Sequence, residues 1–417
     1  MSAEALRAGA RRHNTPATNG DRLWNDIVAT ARFGSTDKGG VTRLTLTEED
    51  RGVRDWFVAE CQALGCVVEI DGIGNIFATY PGEDMSLPAI AVGSHLDTQP
   101  QGGRFDGILG VLAGVEVLRT LSESSTRLRH KLTVVNWTNE EGSRFSPAMM
   151  GSGVFAGALS LEAAHALADR EGTTVNAALD AIGYRGEAKF DPATFAAYIE
   201  LHIEQGPLLE ASATEIGVVT GVQGVRWFDI TISGTEAHAG STPMAQRDDA
   251  LVAAAEIVLA VRDIARQNPP GVGTVGFVEV GPNSRNVVPG SVRLQIDMRH
   301  PSETGLDQMQ AALEDAVRNA GVGTKLKHIW SKAPVVFDPA IVEAVRHSAE
   351  ALGFSATDVV SGAGHDAAHI ATITPTAMIF VPSKDGLSHN EAEYTSPEEC
   401  ARGAEVLFQA ILELDRR

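Results

Sequence analysis

The chain has 417 residues, 43% of them apolar, and carries 34 Lys plus Arg against 54 Asp plus Glu, a formal net charge of −20. One hydrophobic core usually stops growing at roughly 250–300 residues, so two domains are expected, and the apolar content excludes global disorder. The acidic balance excludes nucleic acid and anionic membrane surfaces as main partners, and an anionic substrate would need locally placed cations.

The opening MSAEALRAGARRHNT has charges without a following apolar core, so no signal peptide is expected. No apolar run approaches the ~20 residues needed to span a bilayer. LTEEDRGVRDWFVAECQALG predicts an amphipathic helix capped by Thr47, with Asp50 in its first turn and Gly65 as its stop. VVEIDGIGNIFATYPG alternates and turns like a hairpin. PAIAVGSHLD is an apolar strand running into polar residues, and ILGVLAGVEVLRTL after it is a buried helix. KLTVVNWTNEEG and AAYIELHIEQG repeat the strand-then-polar pattern. Strands alternating with helices predict a mostly parallel sheet covered on both faces, and ligands gather at the carboxyl ends of such strands.

From about Gly221 to Ala333 the texture changes. VRWFDITISG and SVRLQIDMRH alternate as half-solvated strands do, while RDDALVAAAEIVLAVRDIARQ and ETGLDQMQAALEDAVRNA have helical periodicity. From Pro334 the α/β texture returns, with strand TAMIFVP and a final helix SPEECARGAEVLFQAILEL. The reading is a discontinuous first domain, residues 1–220 and 334–417, interrupted by an α+β unit at 221–333. The cysteines are Cys61, Cys66 and Cys400, an odd and low count that argues against a disulfide framework and for a reducing cytoplasm. Cys61 and Cys66 read as a helix face and the following strand, not as a metal pair.

Five segments concentrate the unusual residues: GSHLDT, GGRFDG, NEEG, LHIEQG and LSHNE. They supply His95, Asp97, Asp106, Glu140, Glu141, His202 and His389. Taken singly each is ordinary, since a strand-end histidine is usually a hydrogen-bonded surface group and adjacent glutamates a solvated turn. Together, imidazole nitrogens and carboxylate oxygens suit zinc, manganese or related ions. Two ions held close together need a bridging carboxylate to offset their repulsion.

The ordered set GSHLDT, GGRFDGILGVLAGVEVL, NWTNEEGSRF, LHIEQGP, GTEAHAGSTPM, SRNVVPG, DMRHP, GAGHDA and SHNE resembles the hydantoinase/carbamoylase branch of the M20 metallopeptidase family. The resemblance covers nearly the whole chain after the first twenty residues. It implies an α/β fold: a mixed-sheet di-metal catalytic domain with an inserted α+β dimerisation (lid) domain. It implies two divalent ions per subunit, zinc or manganese foremost, cobalt or nickel tolerated. His95, Asp106, Glu141, His202 and His389 match the metal ligands, with Asp106 as the bridge, His95 and His202 on one ion, and Glu141 and His389 on the other. Asp97 matches the residue that orients His95, and Glu140 the general base.

The same resemblance implies metal-dependent hydrolysis of the carbamoyl C–N bond of N-carbamoyl amino acids to amino acid, carbon dioxide and ammonia. His238 matches the donor that stabilises the oxyanion, acting in the neighbouring subunit of a homodimer built through the inserted domain. Gln205, Asn286 and Arg299 match contacts to the substrate's amide and carboxylate, a role that suits the bidentate fork of Arg. Gly364 and His365 would line the pocket. The stretch GSHLDTQPQGGRFDGILGVLAGVEVLRTL is especially similar to β-ureidopropionases, which cleave N-carbamoyl-β-alanine. One methylene is worth only about 1–3 kcal/mol of discrimination, so N-carbamoyl-L-amino acids are expected substrates too. Allantoate amidohydrolase and an aminoacylase or dipeptidase are the alternative activities, and a binding protein that kept the fold is the non-enzymatic one.

Overall fold

The computed structural model describes residues 16–190, 194–321 and 323–417. The segment read for a signal peptide lies outside them. The chain divides into two compact units. The first is the chain up to Thr220 with Phe337–Val359 and Gly364–Arg417, and the second is Gly221–Val336 with Val360–Ala363.

The first unit opens with α1 (Gly20–Thr30), α2 (Glu48–Ala63) and the hairpin β1 (Val67–Ile70) and β2 (Ile76–Tyr80). Then come β3 (Ala89–His95), α3 (Ile108–Glu123), β4 (Leu132–Trp137), the short helices α4 (Met150–Phe155), α5 (Leu161–Ala166) and α6 (Val175–Ile182), β5 (Phe195–Ile203), α7 (Leu208–Ala211) and β6 (Ile216–Val222). The second unit holds β7 (Gly224–Ser233), β8 (Ala237–His238), α8 (Ala250–Gln267), β9 (Val272–Gly281), β10 (Val287–Val288), β11 (Ser291–His300), α9 (Glu303–Asn319), β12 (Gly323–Lys332) and β13 (Val335–Val336). The chain ends with α10 (Pro339–Leu352), β14 (Ala356–Ser361), α11 (Ala367–Ile370), β15 (Thr376–Val381) and α12 (Pro397–Leu414).

Thr47 caps α2 by accepting from the Asp50 amide, and Gly65 follows the helix at φ +86°. The sheet of the first unit runs β1-β2-β4-β3-β5-β15-β6, with β14 also on β6. The neighbours β4–β3, β3–β5 and β5–β15 are parallel; β1–β2, β2–β4 and β15–β6 are antiparallel. The sheet is therefore mixed rather than mostly parallel. The cause is connection length: the tight turn at Asp71–Asn75 forces β1 and β2 antiparallel, while the α3 crossover is long enough to return β4 parallel to β3. Strands β3, β4 and β15 are buried along their whole length, and α3 is buried on nearly every side. Continuous apolar runs are what a strand covered on both faces requires.

The second unit has a four-stranded antiparallel sheet, β12-β7-β11-β9, and a separate β8–β10 pair. Alternate residues of β7 and β11, such as Phe228, Ile230, Leu294 and Ile296, pack on α8 and α9 to form its core. The opposite sheet face carries Trp227, Asp229, Arg293, Gln295, Asp297 and Arg299, the other phase of the same period-two alternation. Val335 and Val336 of β13 pair with Val222 and Gly221, so the excursion's two ends lie side by side within this unit. Among the described residues, no helix is long and apolar enough to cross a membrane.

Candidate metal centre

The first unit gathers the acids and histidines because β4, β3 and β5 are adjacent and parallel, so their carboxyl ends fall along one edge. His95 is the last residue of β3, Glu140 and Glu141 follow β4, and His202 is next to last on β5. Asp106 lies in the turn that enters α3, beside Gly107 at φ +68°, where an added Cβ would come within 2.3 Å of the His95 ring. That close approach admits only glycine. His389 lies in the loop between β15 and α12 with φ +54°, and Asn139 and Gln205 also have positive φ. Left-handed non-glycine residues are uncommon and cluster where a site constrains the backbone.

The two oxygens of the Asp106 carboxylate face different partners. Oδ1 lies 3.1 Å from His202 Nε2 and 3.6 Å from His95 Nε2. Oδ2 lies 3.5 Å from His389 Nε2, which is itself 3.4 Å from Glu141 Oε2. The residues thus form two triads, His95–Asp106–His202 and Asp106–Glu141–His389, that share one carboxylate. Bonds of about 2.0–2.2 Å to one tetrahedral ion place its donor atoms roughly 3.3–3.6 Å apart; three of the four separations above fall in that window, and the Asp106–His202 separation is shorter at 3.1 Å.

The histidine tautomers fit as well. His95 Nδ1 donates to the Asp97 carbonyl at 2.9 Å, and His202 Nδ1 donates to the Ile203 carbonyl at 2.8 Å. A carbonyl only accepts, so each Nδ1 carries a proton; Nε2 lies toward Asp106 in both rings, and in His202 also beside the Gly107 amide at 3.2 Å, so it is the nitrogen that a metal ion would take in place of a second proton. Burial disfavours charge on His95, but Glu140, Asp106 and Asp97 outweigh it and hold the imidazole well above its usual range. Burial alone would raise Asp106, yet His202 and His95 pull it well below the carboxylate range. Burial pushes Glu140 and Glu141 well above theirs. Asp97, Asp106 and Glu140 are all buried. Burial favours the protonated form of these acids, and divalent ions in the two triads would supply the compensating charge that lets them ionise.

A third group, Glu200, His202 and His365, is also close enough to share an ion. Its donors are engaged elsewhere: Glu200 accepts from the Ser94 hydroxyl at 2.6 Å and the Ala367 amide at 2.9 Å. His202 has its Nε2 between Asp106 Oδ1 at 3.1 Å and the Gly107 amide at 3.2 Å. The two triads are the better fit.

The structure shows how two residues that the resemblance singles out are held. Asp97 reaches His95 through its backbone carbonyl, and its carboxylate instead accepts from the Glu140 and Glu141 amides at 3.2 and 3.3 Å. The Asp97 side chain therefore holds the NEEG turn, and its main chain holds the histidine. Gln205, expected to touch substrate, directs its Nε2 to Asp106 Oδ2 at 2.9 Å and to the Ser388 hydroxyl at 3.2 Å. Its Oε1 is buried without a protein partner. Glu140 lies beside the first triad, with Oε2 3.6 Å from His95 Nε2. The His365 ring sits 4.5 Å from that of His202, and Gly364 abuts Met149.

His238, Asn286 and Arg299 belong to the second unit. His238 pairs with Val287 across β8–β10, and the Asn286 carbonyl accepts from the Ala239 amide. His238 Nδ1 accepts from the Gly240 and Ser241 amides at 3.1 and 3.2 Å. In the uncharged ring the proton is then on Nε2, which makes His238 a donor toward solvent.

Several supporting residues were not singled out from sequence. Glu393 accepts from the Phe105 and Asp106 amides, both at 3.1 Å, and from the Ser388 hydroxyl at 2.9 Å. It thereby ties the Asp106 loop to the His389 loop, and burial pushes its carboxyl up to about 7. Gln99 binds both oxygens of Glu141, and Ser152 donates to buried Asp366. Glu200 carried a legible signal, period-two spacing from His202 on β5. Glu393 carried none, since its partners are loop amides far away in sequence.

Residues 91–413 match the model of Peptidase family M20/M25/M40. The chain belongs to this family. An N-carbamoyl-L-amino-acid amidohydrolase of Rhizobium meliloti is 47% identical, over 95% of this chain and 96% of the relative. A second protein of that description, from Geobacillus stearothermophilus, is 38% identical over 95% and 98%. The crystal structure of an amidase of the hydantoinase/carbamoylase family from Burkholderia multivorans superposes with a TM-score of 0.93 at 48% identity, covering 96% of this chain and 99% of that one. The M20 membership and the branch implied by the motifs agree.

Proposed function

We propose that this M20 family member is a metal-dependent amidohydrolase that cleaves the carbamoyl C–N bond of N-carbamoyl amino acids, releasing amino acid, carbon dioxide and ammonia. The observation that carries the reading is buried Asp106, whose two oxygens face two separate His/carboxylate triads. The Rhizobium and Geobacillus relatives support N-carbamoyl-L-amino acids as first-choice substrates. N-Carbamoyl-β-alanine differs by the position of one methylene and belongs in the same test.

His95, His202 and Asp106 would hold one ion, and Asp106, Glu141 and His389 the other. Bound divalent ions, zinc or manganese foremost, supply an acidic water and polarise the ureido carbonyl. Glu140, held by its own amide on Asp97, takes a proton from the attacking water and passes it to the leaving nitrogen. His238 offers an Nε2–H to the developing oxyanion. Arg299 and Asn286 receive the substrate's carboxylate. Gln205 reaches the substrate through its buried Oε1 while its amide nitrogen braces Asp106.

The second unit is the proposed dimerisation (lid) domain. Its helix α8 exposes Leu251, Val252 and Leu259 on one side, and the outermost strand β9 exposes Phe277 and Val278. An apolar helix stripe beside an unpaired strand edge suits a second copy of the chain. Free, buried Cys61, Cys66 and Cys400 fit a reducing cytoplasm.

The deciding experiment is kcat/KM across N-carbamoyl-L-amino acids, N-carbamoyl-β-alanine, allantoate, N-acetyl amino acids and dipeptides, before and after chelation. Chelator-sensitive turnover highest on an N-carbamoyl amino acid is expected. Preference for dipeptides, or metal content well below one ion per chain with no ureido turnover, would sink the reading. Sedimentation at nanomolar concentration tests the dimer, and a fully active monomer would refute it.

A further inference from the structure

Arg299 does not stand free on the outer face of β11. Its Nε donates to Asp297 Oδ1 at 2.9 Å and its Nη2 to Asp297 Oδ2 at 3.0 Å. Its Nη1 donates to the Gly362 carbonyl at 2.8 Å. Asp297 sits two residues earlier on the same strand, hence on the same face. Trp227 of β7 lies opposite Asp297 in the register, and its indole N–H donates to Asp297 Oδ2 at 2.8 Å. Trp330 of β12 lies opposite Trp227 in turn, with the ring centroids 5.1 Å apart. A line of contacts thus crosses three adjacent strands and ends at the guanidinium.

We propose that Asp297 and Trp227 are positioning residues that fix the Arg299 guanidinium for the substrate carboxylate. This rests on the carboxylate-binding reading of Arg299 given above. A guanidinium has five N–H donors. Asp297 takes one from Nε and one from Nη2, and Gly362 takes one from Nη1, so one N–H remains on each Nη. With Asp297 side-on to Nε and Nη2, the leftover Nη2 hydrogen points toward Nη1, and with the Gly362 carbonyl on the Nη1 hydrogen nearer Cδ the two leftover N–H groups form an end-on fork that matches a second carboxylate. Because Asp297 already neutralises much of the Arg299 charge, recognition depends on where the fork points more than on long-range attraction. Losing the clamp frees a long side chain that substrate must then order.

The strand pair could instead be a placeholder that substrate has to displace. Kinetics separate the two. Positioning predicts that Asp297→Ala raises KM for the N-carbamoyl amino acid by about ten-fold with kcat nearly unchanged, and that Trp227→Phe raises it by about two- to three-fold. Asp297→Asn, which keeps one acceptor oxygen and the side chain's shape, should fall between them and serves if the alanine variant folds poorly. The corresponding N-carbamoyl amino acid amide, which lacks the carboxylate, should bind wild type and variants equally, measured as substrate or as competing inhibitor. Displacement predicts the opposite, a lower KM in Asp297→Asn. A lowered or unchanged KM, or an equal loss on the amide probe, overturns the proposal. Arg299→Ala distinguishes the layers: if it leaves KM unchanged, the carboxylate reading itself fails, whereas if it raises KM while Asp297→Ala does not, only the positioning role fails.

Discussion

The metal centre of the first unit and the polar sheet face of the second use the same kinds of side chain under opposite conditions. Asp106, His95 and His202 are almost fully buried, and backbone groups hold the donors: the carbonyls of Asp97 and Ile203 on the imidazoles, and Asp97 on the NEEG amides. Asp297 and Arg299 are about one-third exposed, and side chains do most of the holding. Burial makes an unpaired charge costly, and cations in the two candidate triads would complete the first region. Exposure leaves the second region screened by solvent, so its geometry rests on the side-chain clamp around Arg299 rather than on strong charge attraction. The proposed function puts chemistry at buried parallel strand ends and substrate reading on an exposed antiparallel face, so variants in the two regions should fail differently.

The largest effect should come from the shared carboxylate. Asp106→Asn removes a donor from both triads, and with several kcal/mol of transition-state stabilisation at stake kcat/KM should drop by about 10³-fold or more. Elemental analysis should find both ions depleted; loss of one alone would refute the bridge. Glu140→Gln should retain metal while kcat falls by about 10²–10⁴-fold, and a wild-type rate in that variant would rule out its role as base. Glu393→Gln weakens the tie between the Asp106 and His389 loops and should lower metal affinity by about 10–100-fold in chelator competition. If metal affinity does not change, Glu393 is only a structural brace. The smallest effect belongs to the second unit. Asp249 caps α8 by accepting from the Leu251 and Val252 amides, so Asp249→Ala should cost about 1 kcal/mol in denaturant unfolding with metal content untouched. A change in metal content there would erase the contrast between the regions.

The apolar runs, the cap at Thr47 and the alternation of β7 and β11 were readable because each is a local property of the chain. Of the five proposed ligands, His95, Glu141 and His202 stand where apolar strands run into polar residues, whereas Asp106 and His389 lie in loops and were marked by the family motifs GGRFDG and SHNE. The mixed sheet was less readable, since strand direction depends on which neighbour a strand finds and not on its own residues. Asp97 shows the limit most clearly: the residue was in view, but which of its groups faces His95 depends on backbone geometry. Glu393 was hidden because its amide partners lie almost three hundred residues earlier.

Sequence by itself determined the residue types of the centre, their order along the chain and the period of each element, because composition and spacing are local. Only the tertiary structure decided that Asp106 turns one oxygen to each triad, that Gln205 reaches Asp106, and that Arg299 is already clamped by Asp297. Those outcomes depend on distances between segments remote in sequence. Such distances are set by packing a mixed sheet against its helices, and no local pattern encodes them.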